Sequence, residues 1–350
     1  MITNFGFMPD GKEVFLVELR NEYFKAKLIS YGAILNSFET LDAKGNLLDI
    51  VLGFDNLEDY ILQDKCFGCI VGRCTNRISN ASFKLNGETY HLYKNNAGNS
   101  SHGGKVGFGK KAWDIKEHTE DSVTFHITSP DMDENYPGEL NLDVKYSLTD
   151  TGLKLEYLGH STKDTIVNLT NHAYFNLNGH AAGTIEKHLL TINADNFVWA
   201  NEKTVPDGRI LPVANTPMDF REATEIGKNV NSDYDQIKWA KGLDRNWCIN
   251  GNLHELNKAC VLESKESGIK LTISTTQPGL QVYTGNYLSG SRPAKENVNY
   301  IDRAGVALEC QGYPDAINHE NFPSVVLRAG EEYRECTYYD MQIIRKNYWQ

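Results

Sequence analysis

An all-β protein, built as a large antiparallel β-sandwich with a few short helices, is the fold class the sequence predicts. Turn-forming dipeptides recur along it: Asp10-Gly11, Asn86-Gly87, Asn178-Gly179, Asp207-Gly208 and Asn250-Gly251 all tolerate the positive φ of tight hairpin turns. Between them lie short runs whose apolar residues alternate at period two. Helical periodicity is rare and brief. In chain order, NLEDYILQ (56–63) reads as a short helix. ASFKLNGETYHL (81–92) reads as a hairpin, with Phe83 and Leu85 before the turn and Tyr90 and Leu92 after it. VKYSL (144–148), GLKLEYL (152–158), LTNHAYFNL (169–177), KLTISTTQ (270–277) and LQVYTGNYL (280–288) read as strands. REATEIGK (221–228) and DYDQIKWA (233–240) are the remaining short helical patterns. No Pro- or Ser-rich linker divides the chain, and all-β units often exceed the usual domain size, so 1–350 is expected to form one domain.

Composition narrows the function classes. The chain has 350 residues and a formal net charge of -11 without basic clusters, which argues against a nucleic-acid partner, because phosphate binding needs concentrated Lys and Arg. No apolar run approaches the roughly 18 residues of a membrane span. The start, MITNFGFMPDGKEV, lacks the basic end and apolar stretch of a secretory signal, so a cytoplasmic location is expected. Seven cysteines, mostly scattered singly, fit that compartment. Cys66 and Cys69 form a CxxC, but no second ligand pair stands at zinc-site spacing, and buried, reduced thiols are expected. GxGxxG after a strand, GxxxxGK[ST] and GxSxG are all absent, which leaves nucleotide binding and a hydrolase elbow without support.

Polar groups stand where packing does not require them. In LTNHAYFNL, alternation puts Leu169, Asn171, Ala173, Phe175 and Leu177 on one face and Thr170, His172, Tyr174 and Asn176 on the other. IVGRCTNRI (70–78) carries Arg73, Asn76 and Arg77. NSSHGGKVGFG (99–109) carries His102 before two glycines, and KGLDRNWCI (241–249) carries Asp244. In GVALECQGYPDAIN (305–318), Val306, Leu308 and Cys310 share one face while Glu309 and Gln311 share the other. A carboxylate within so apolar a strand is costly unless paired or hydrogen-bonded, and burial would tune its pKa. Each residue alone has a structural reading. Together, Asn, Arg, two His, Asp, Gln and Glu suit a sugar, whose many hydroxyls need charged and amide partners in fixed positions. Aromatic rings would support its C–H faces, with Tyr174, Trp199 and Trp247 as candidates.

The motifs carry a family resemblance. GRCTNRI, SSHGG, TNHAYFNL, GLDRNW, QPGLQVYTGN and LECQGYPDAIN resemble, in order and along essentially the whole chain, the aldose 1-epimerase (galactose mutarotase) family. ENYPG (134–138) and VPDGRILPVANTPMDF (205–220) extend the similarity. The resemblance implies a supersandwich with an open sugar-binding cleft, no metal and no cofactor. It also implies a monosaccharide substrate, galactose or glucose, in a monomer or homodimer. Glu309 matches the family's catalytic base and His172 its acid. Asn76, Arg77, His102, Tyr174, Asp244 and Gln281 match substrate-contacting positions, with Arg77 preferred over Arg73 as the ligand arginine. Thr75, Ser101 and Arg245 depart from the common pattern and bear on substrate preference.

The expected reaction interconverts α and β anomers: the C1 hydroxyl loses a proton to Glu309, protonated His172 serves the ring oxygen, the ring opens, C1 turns and the ring recloses. An unperturbed histidine pKa near 6.5 would suit that role. Three rival readings stand beside it. A glycoside hydrolase could use Asp244 and Glu309 as its carboxylates. A non-catalytic carbohydrate-binding protein would keep the binding groups without needing both proton-transfer groups. A hexose-phosphate 1-epimerase of the same fold would need further cations at the cleft, for which Arg73 and Arg245 are candidates.

Overall fold

The computed structural model describes residues 1–290 and 292–344. Its framework is three antiparallel sheets of five, nine and six strands. Alternation drives the largest. Leu140–Leu148 buries Leu140, Leu142, Val144, Tyr146 and Leu148, and its neighbour Gly152–Ser161 buries Leu153, Leu155 and Tyr157 on the same side. The two pair without a register shift from Leu140 opposite Ser161 to Leu148 opposite Leu153. A sheet with one apolar face must cover it.

The cover is the six-stranded sheet, ordered Tyr174–Phe175, Val306–Gln311, Gly279–Tyr283, Asp244–Cys248, Asn196–Ala200 and Pro206–Pro212. Its inner face supplies Phe175, Val306, Leu308, Cys310, Leu280, Val282, Trp247 and Phe197 to one core shared with the nine-stranded sheet. The five-stranded meander adds Val17, Leu19, Ala26 and Leu28 to that core. The result is the expected sandwich. The far face of the six-stranded sheet is also covered: every residue of Val306–Gln311 is buried, and Tyr313, Ala316 and Phe322 pack over Val198 and Cys248.

Local expectations met tertiary structure with mixed results. Asn86 and Gly87, at φ 52° and 84°, turn the hairpin between Ser82–Leu85 and Glu88–His91. Asn56 caps the helix Leu57–Leu62 by accepting from the Asp59 amide. The patterns at 221–228 and 233–240 yield only single turns, Ile226–Asn229 and Asp235–Lys238. Asp207-Gly208 is no hairpin turn. It lies inside the edge strand Pro206–Pro212, where the Asp207 carboxylate accepts from the Arg209 amide and guanidinium and absorbs the kink. LTNHAYFNL is not one strand either. It splits into Thr170–Asn171 and Tyr174–Phe175, with His172 and Ala173 between them.

Arg73 explains how the 70–78 segment is anchored. Its guanidinium, 2% exposed, donates to the carbonyls of Pro137 and Gly138 (2.8 Å each) and to Ser129 Oγ (2.7 Å). Burial lowers its pKa to about 10 despite Asp133 nearby. Replacing it strands several buried acceptors, each costing about 1–3 kcal/mol. Arg73→Met is therefore expected to lower the unfolding free energy by roughly 3 kcal/mol or more. Urea unfolding measures this, and an unchanged midpoint would contradict the anchoring role.

Candidate active site

Register assembles the polar residues. Glu309 lies opposite Gln281, and Gln281 opposite Asn246. Two residues along the strands, Ala307 lies between Tyr174 and Tyr283, and Tyr283 lies opposite Asp244. Directly opposed residues share a face, so all of these side chains leave the sheet on the side away from the core.

His172 reaches this face through the strand break. The Gly68 amide donates to its carbonyl (3.0 Å), and its own amide donates to the Cys69 carbonyl (2.9 Å). The Asn171 side chain accepts from the Ala173 amide (3.0 Å) and so holds the kink from the other side. The imidazole lies 5.0 Å from the Tyr174 ring and 6.3 Å from the Tyr283 ring, centroid to centroid. Its Nε2 is 3.6 Å from Glu309 Oε1. Both side chains are almost fully buried, at 7% and 3% exposed.

Asn76 and His102 form a reciprocal pair, both with left-handed φ (59° and 52°). The His102 amide donates to the Asn76 carbonyl (3.0 Å), and the Asn76 amide donates to His102 Nδ1 (3.3 Å). An accepting Nδ1 places the ring proton on Nε2. Glycine follows His102 for a steric reason. Gly103 has φ 83°, and a Cβ there would sit 1.8 Å from the Gly72 carbonyl oxygen. The His102 ring stands edge-on to His172 at 5.8 Å.

Asp244 is bridged. Gln281 Nε2 donates to its Oδ1 (2.6 Å), while Oδ2 lies 3.5 Å from an Arg77 nitrogen. Arg77 also donates to Asn76 Oδ1, from its guanidinium (3.3 Å) and its amide (2.9 Å). Seven of the eight residues named from the sequence thus form one connected constellation: Glu309, His172, Asn76, Arg77, His102, Asp244 and Gln281. Arg77 and Asp244 keep about 15% of their side chains exposed at its rim.

Charge is expensive here. Burial, then Asp244 and Cys66, push the Glu309 carboxyl well above the ordinary carboxylate range, with Arg77 opposing. Burial pulls His172 down to about 4, offset in part by a backbone hydrogen bond and Asp244. His102 is also pulled well down, by burial and then by His172, Arg77 and Lys110. Burial thus favours the uncharged form of each group, the protonated carboxyl of Glu309 and the neutral imidazole of His172. That differs from the expected protonated imidazole, because burial removes the hydration that normally supports the cation. Glu309 Oε2, Gln281 Oε1, His172 Nδ1, Arg77 Nε and both polar atoms of the Asn246 amide are buried without a hydrogen-bond partner among the described residues. Such a concentration fits a ligand that both donates and accepts many hydrogen bonds.

Other candidates sit differently. The Tyr174 hydroxyl donates to the Lys65 carbonyl (2.9 Å), and the residue is 1% exposed, so its ring backs His172 rather than offering a hydroxyl to a ligand. Trp247 cannot stack on a ligand. It is on the core face, fully buried, with its indole N–H donating to the Met218 carbonyl. Trp199 packs against Trp239 and under the Arg209 guanidinium, two strands beyond Gln281. Tyr283 and Asn246 were missed, although each lies two residues from a named site residue and so on its face.

Comparison with known proteins follows the same lines. A family model described as aldose 1-epimerase matches residues 16–340. The chain belongs to the aldose 1-epimerase family. It is 38% identical to galactose mutarotase of Homo sapiens over 340 residues, 97% of each chain. It is 35% identical to aldose 1-epimerase of Escherichia coli (strain K12), over 95% of this chain and 96% of that one. Among solved structures, an aldose epimerase homologue from C. elegans superposes with a TM-score of 0.87 at 30% identity, covering 94% of this chain and 99% of that one. A galactose 1-epimerase from Lactobacillus acidophilus superposes at 0.85 with 28% identity, covering 98% of both.

The electrostatics make a direct prediction for this family member. In ring-nitrogen NMR, His172 is expected to stay neutral through pH 6.5 and to gain its proton only toward about pH 4. His102 is expected to show the Nε2-protonated tautomer. A His172 titration at or above 6.5 would contradict the burial argument.

Proposed function

We propose that the chain catalyses anomer interconversion of D-galactose, D-glucose or both, with Glu309 and His172 moving the protons. The observation that carries this is the 3.6 Å separation of Glu309 Oε1 and His172 Nε2. The C1 hydroxyl and the ring oxygen hang on the same carbon, so two groups this close can each reach one of them. Galactose is named in the human relative, and the bacterial relative bears the wider term aldose.

The reaction needs one proton taken and one given, with none gained or lost overall. A pair holding a single proton meets that requirement in either arrangement. Sugar binding brings hydroxyl dipoles to the unpartnered Glu309 Oε2 and to Gln281, Arg77 and Asn246, which stabilises the carboxylate. The proton then resides on His172, opposite the ring oxygen. Glu309 takes the C1 hydroxyl proton as His172 gives its own to O5, and the C1–O5 bond breaks. Rotation about C1–C2 and the reverse transfers complete the turnover. Arg77, Asn76, His102, Asp244 and Gln281 hold the other hydroxyls while C1 turns. We read the described sheets, which share one core, as a single domain spanning the chain.

The rivals find less support. A retaining or inverting hydrolase needs a free second carboxylate. Both oxygens of Asp244 are engaged, by Gln281 and Arg77. A phosphosugar site needs cations in the cleft, and the two candidates are occupied elsewhere. Arg73 is spent on backbone carbonyls. Arg245 is buried on the core face, donating to Gln236 Oε1 at 2.6 Å.

Polarimetry of freshly dissolved α-D-galactose and α-D-glucose tests the proposal. General acid–base groups supply about 10²- to 10⁴-fold each, so Glu309→Gln is expected to cut kcat by at least about 10²-fold while sugar binding survives. Equal activity would remove Glu309 from the role. Arg77→Ala is expected to raise KM more than it lowers kcat, and unchanged values of both would count against its grip on the substrate. Because activity requires one proton on the pair, kcat/KM is expected to fall as pH drops toward about 4, where His172 gains a second proton for the pair. It should fall again above the raised Glu309 pKa, where the last proton leaves. An acid limb centred near 6.5 would contradict this assignment.

A further inference from the structure

One pair of nucleophilic side chains beside the site moves no proton in the chemistry above, although Cys66 is close enough to raise the Glu309 pKa. Cys66 and Cys69 bracket a tight turn in which the Cys69 amide donates to the Cys66 carbonyl (3.3 Å). Cys66 and Gly68 take left-handed φ, 57° and 69°. Both thiols are free, Cys66 half-buried and Cys69 buried, and each shifts the pKa of the other. A closed i to i+3 turn keeps the two Cα atoms within about 7 Å, inside the range a disulfide spans. Both residues, with His102 and Lys110, line a cavity of about 440 Å³, which admits a small oxidant.

The turn is also the mount of His172. Gly68, between the two cysteines, donates to the His172 carbonyl, and Cys69 accepts from the His172 amide. The residue before the turn, Lys65, accepts from the Tyr174 hydroxyl, whose ring backs the imidazole. No third His, Cys, Asp or Glu joins the pair in a metal-holding group among the described residues. Its chemistry is that of two thiols.

We propose that Cys66 and Cys69 close reversibly to a disulfide that slows the enzyme by moving the turn on which His172 is mounted. The rate effect rests on the proposed function; the closure does not. With hydrogen peroxide as oxidant, the Cys66 thiolate attacks a peroxide oxygen, giving a sulfenic acid as the O–O bond breaks and the other oxygen leaves as hydroxide, which takes up the thiol proton to become water. Cys69 sulfur then attacks Cys66 sulfur and displaces a second water. Two thiols and one peroxide thus become one disulfide and two waters, and a dithiol reductant reverses the change. The division of labour follows from the environment. The neighbouring Cys69, and then Lys110, hold the Cys66 thiol below its ordinary pKa, while Cys66 and burial push Cys69 well up. Cys66 is the attacking group and Cys69 the resolving one.

The test exposes the full-length protein to hydrogen peroxide, alkylates the remaining thiols and follows mutarotation with and without dithiothreitol. The tryptic peptide 66–73 is expected to lose two hydrogens and escape alkylation. kcat should fall roughly 10- to 100-fold, as expected for a displaced proton-transfer group, and recover with dithiothreitol. KM should change less, because Arg77 and Asp244 sit on other segments. Cys66→Ser is expected to lose the response to peroxide. Cys69→Ser should accumulate a Cys66 sulfenic acid trappable by dimedone. A disulfide formed with no change in rate, a peptide that stays doubly alkylated while the rate falls, or equal inhibition of Cys66→Ser would each overturn the proposal. Reduced protein without any mutarotation would instead sink the proposed function, with closure still read by mass.

Discussion

Glu309 and His172 meet 3.6 Å apart in a corner of the six-stranded sheet where neither is well hydrated. Burial penalises the carboxylate and the imidazolium alike, raising one pKa and lowering the other. Two groups shifted in this way favour the arrangement with the proton on the carboxyl and the imidazole neutral. Ring opening and closing require a site that exchanges protons with the sugar without losing or gaining one. In the proposed reaction, the same burial that makes the charged states costly favours keeping one proton on the pair. Hydrogen bonds from the bound sugar to the site's unpartnered atoms then decide, in that reaction, which partner holds the proton.

Around this pair, most of the structure serves placement. Glu309 gets its direction from strand register, which also sets Gln281 and Asn246 in a row beside it. His172 gets its direction from backbone contacts made outside any long strand, through Gly68 and Cys69. Asn76 and His102 hold one another in left-handed conformations, with Gly103 supplying the clearance. Rigid β-ladder on one side and a small turn on the other give Glu309 and His172 different mechanical supports. That asymmetry is why a change confined to the 66–69 turn would reach His172 and leave Glu309 in place.

Much of this was readable in advance where local pattern and tertiary structure agree. Alternation in 144–148 and 152–158 marked two strands whose apolar residues line the core, and Asn86-Gly87 named its hairpin. The polar face of 169–177 pointed to His172, and the apolar strand around Glu309 pointed to the carboxyl. What stayed hidden depends on contacts from afar. The break at His172 is made by donors and acceptors roughly a hundred residues upstream, so LTNHAYFNL reads as an unbroken strand. Arg73 and Arg77 look alike in GRCTNRI, and only the fold shows one satisfied by backbone carbonyls and the other beside Asp244. Trp247 is a different failure. Alternation already sets it opposite Asp244 and Asn246, and its size drew attention that its register did not justify. Tyr283 and Asn246 were equally available from the two-residue spacing. The CxxC carried too little local signal to be tied to the site, because its neighbours come from three separate segments.

If the buried pair works as one proton-holding unit, its members cannot contribute independently. The most direct measurement is a double-mutant cycle on kcat for anomer interconversion, using Glu309→Gln, His172→Gln and the double variant, each corrected for the spontaneous reaction. The account predicts that the double variant is no slower than the slower single one, since removing either partner already ends the exchange. Losses that multiply across the two sites would mean the carboxyl and imidazole act separately, and would contradict it.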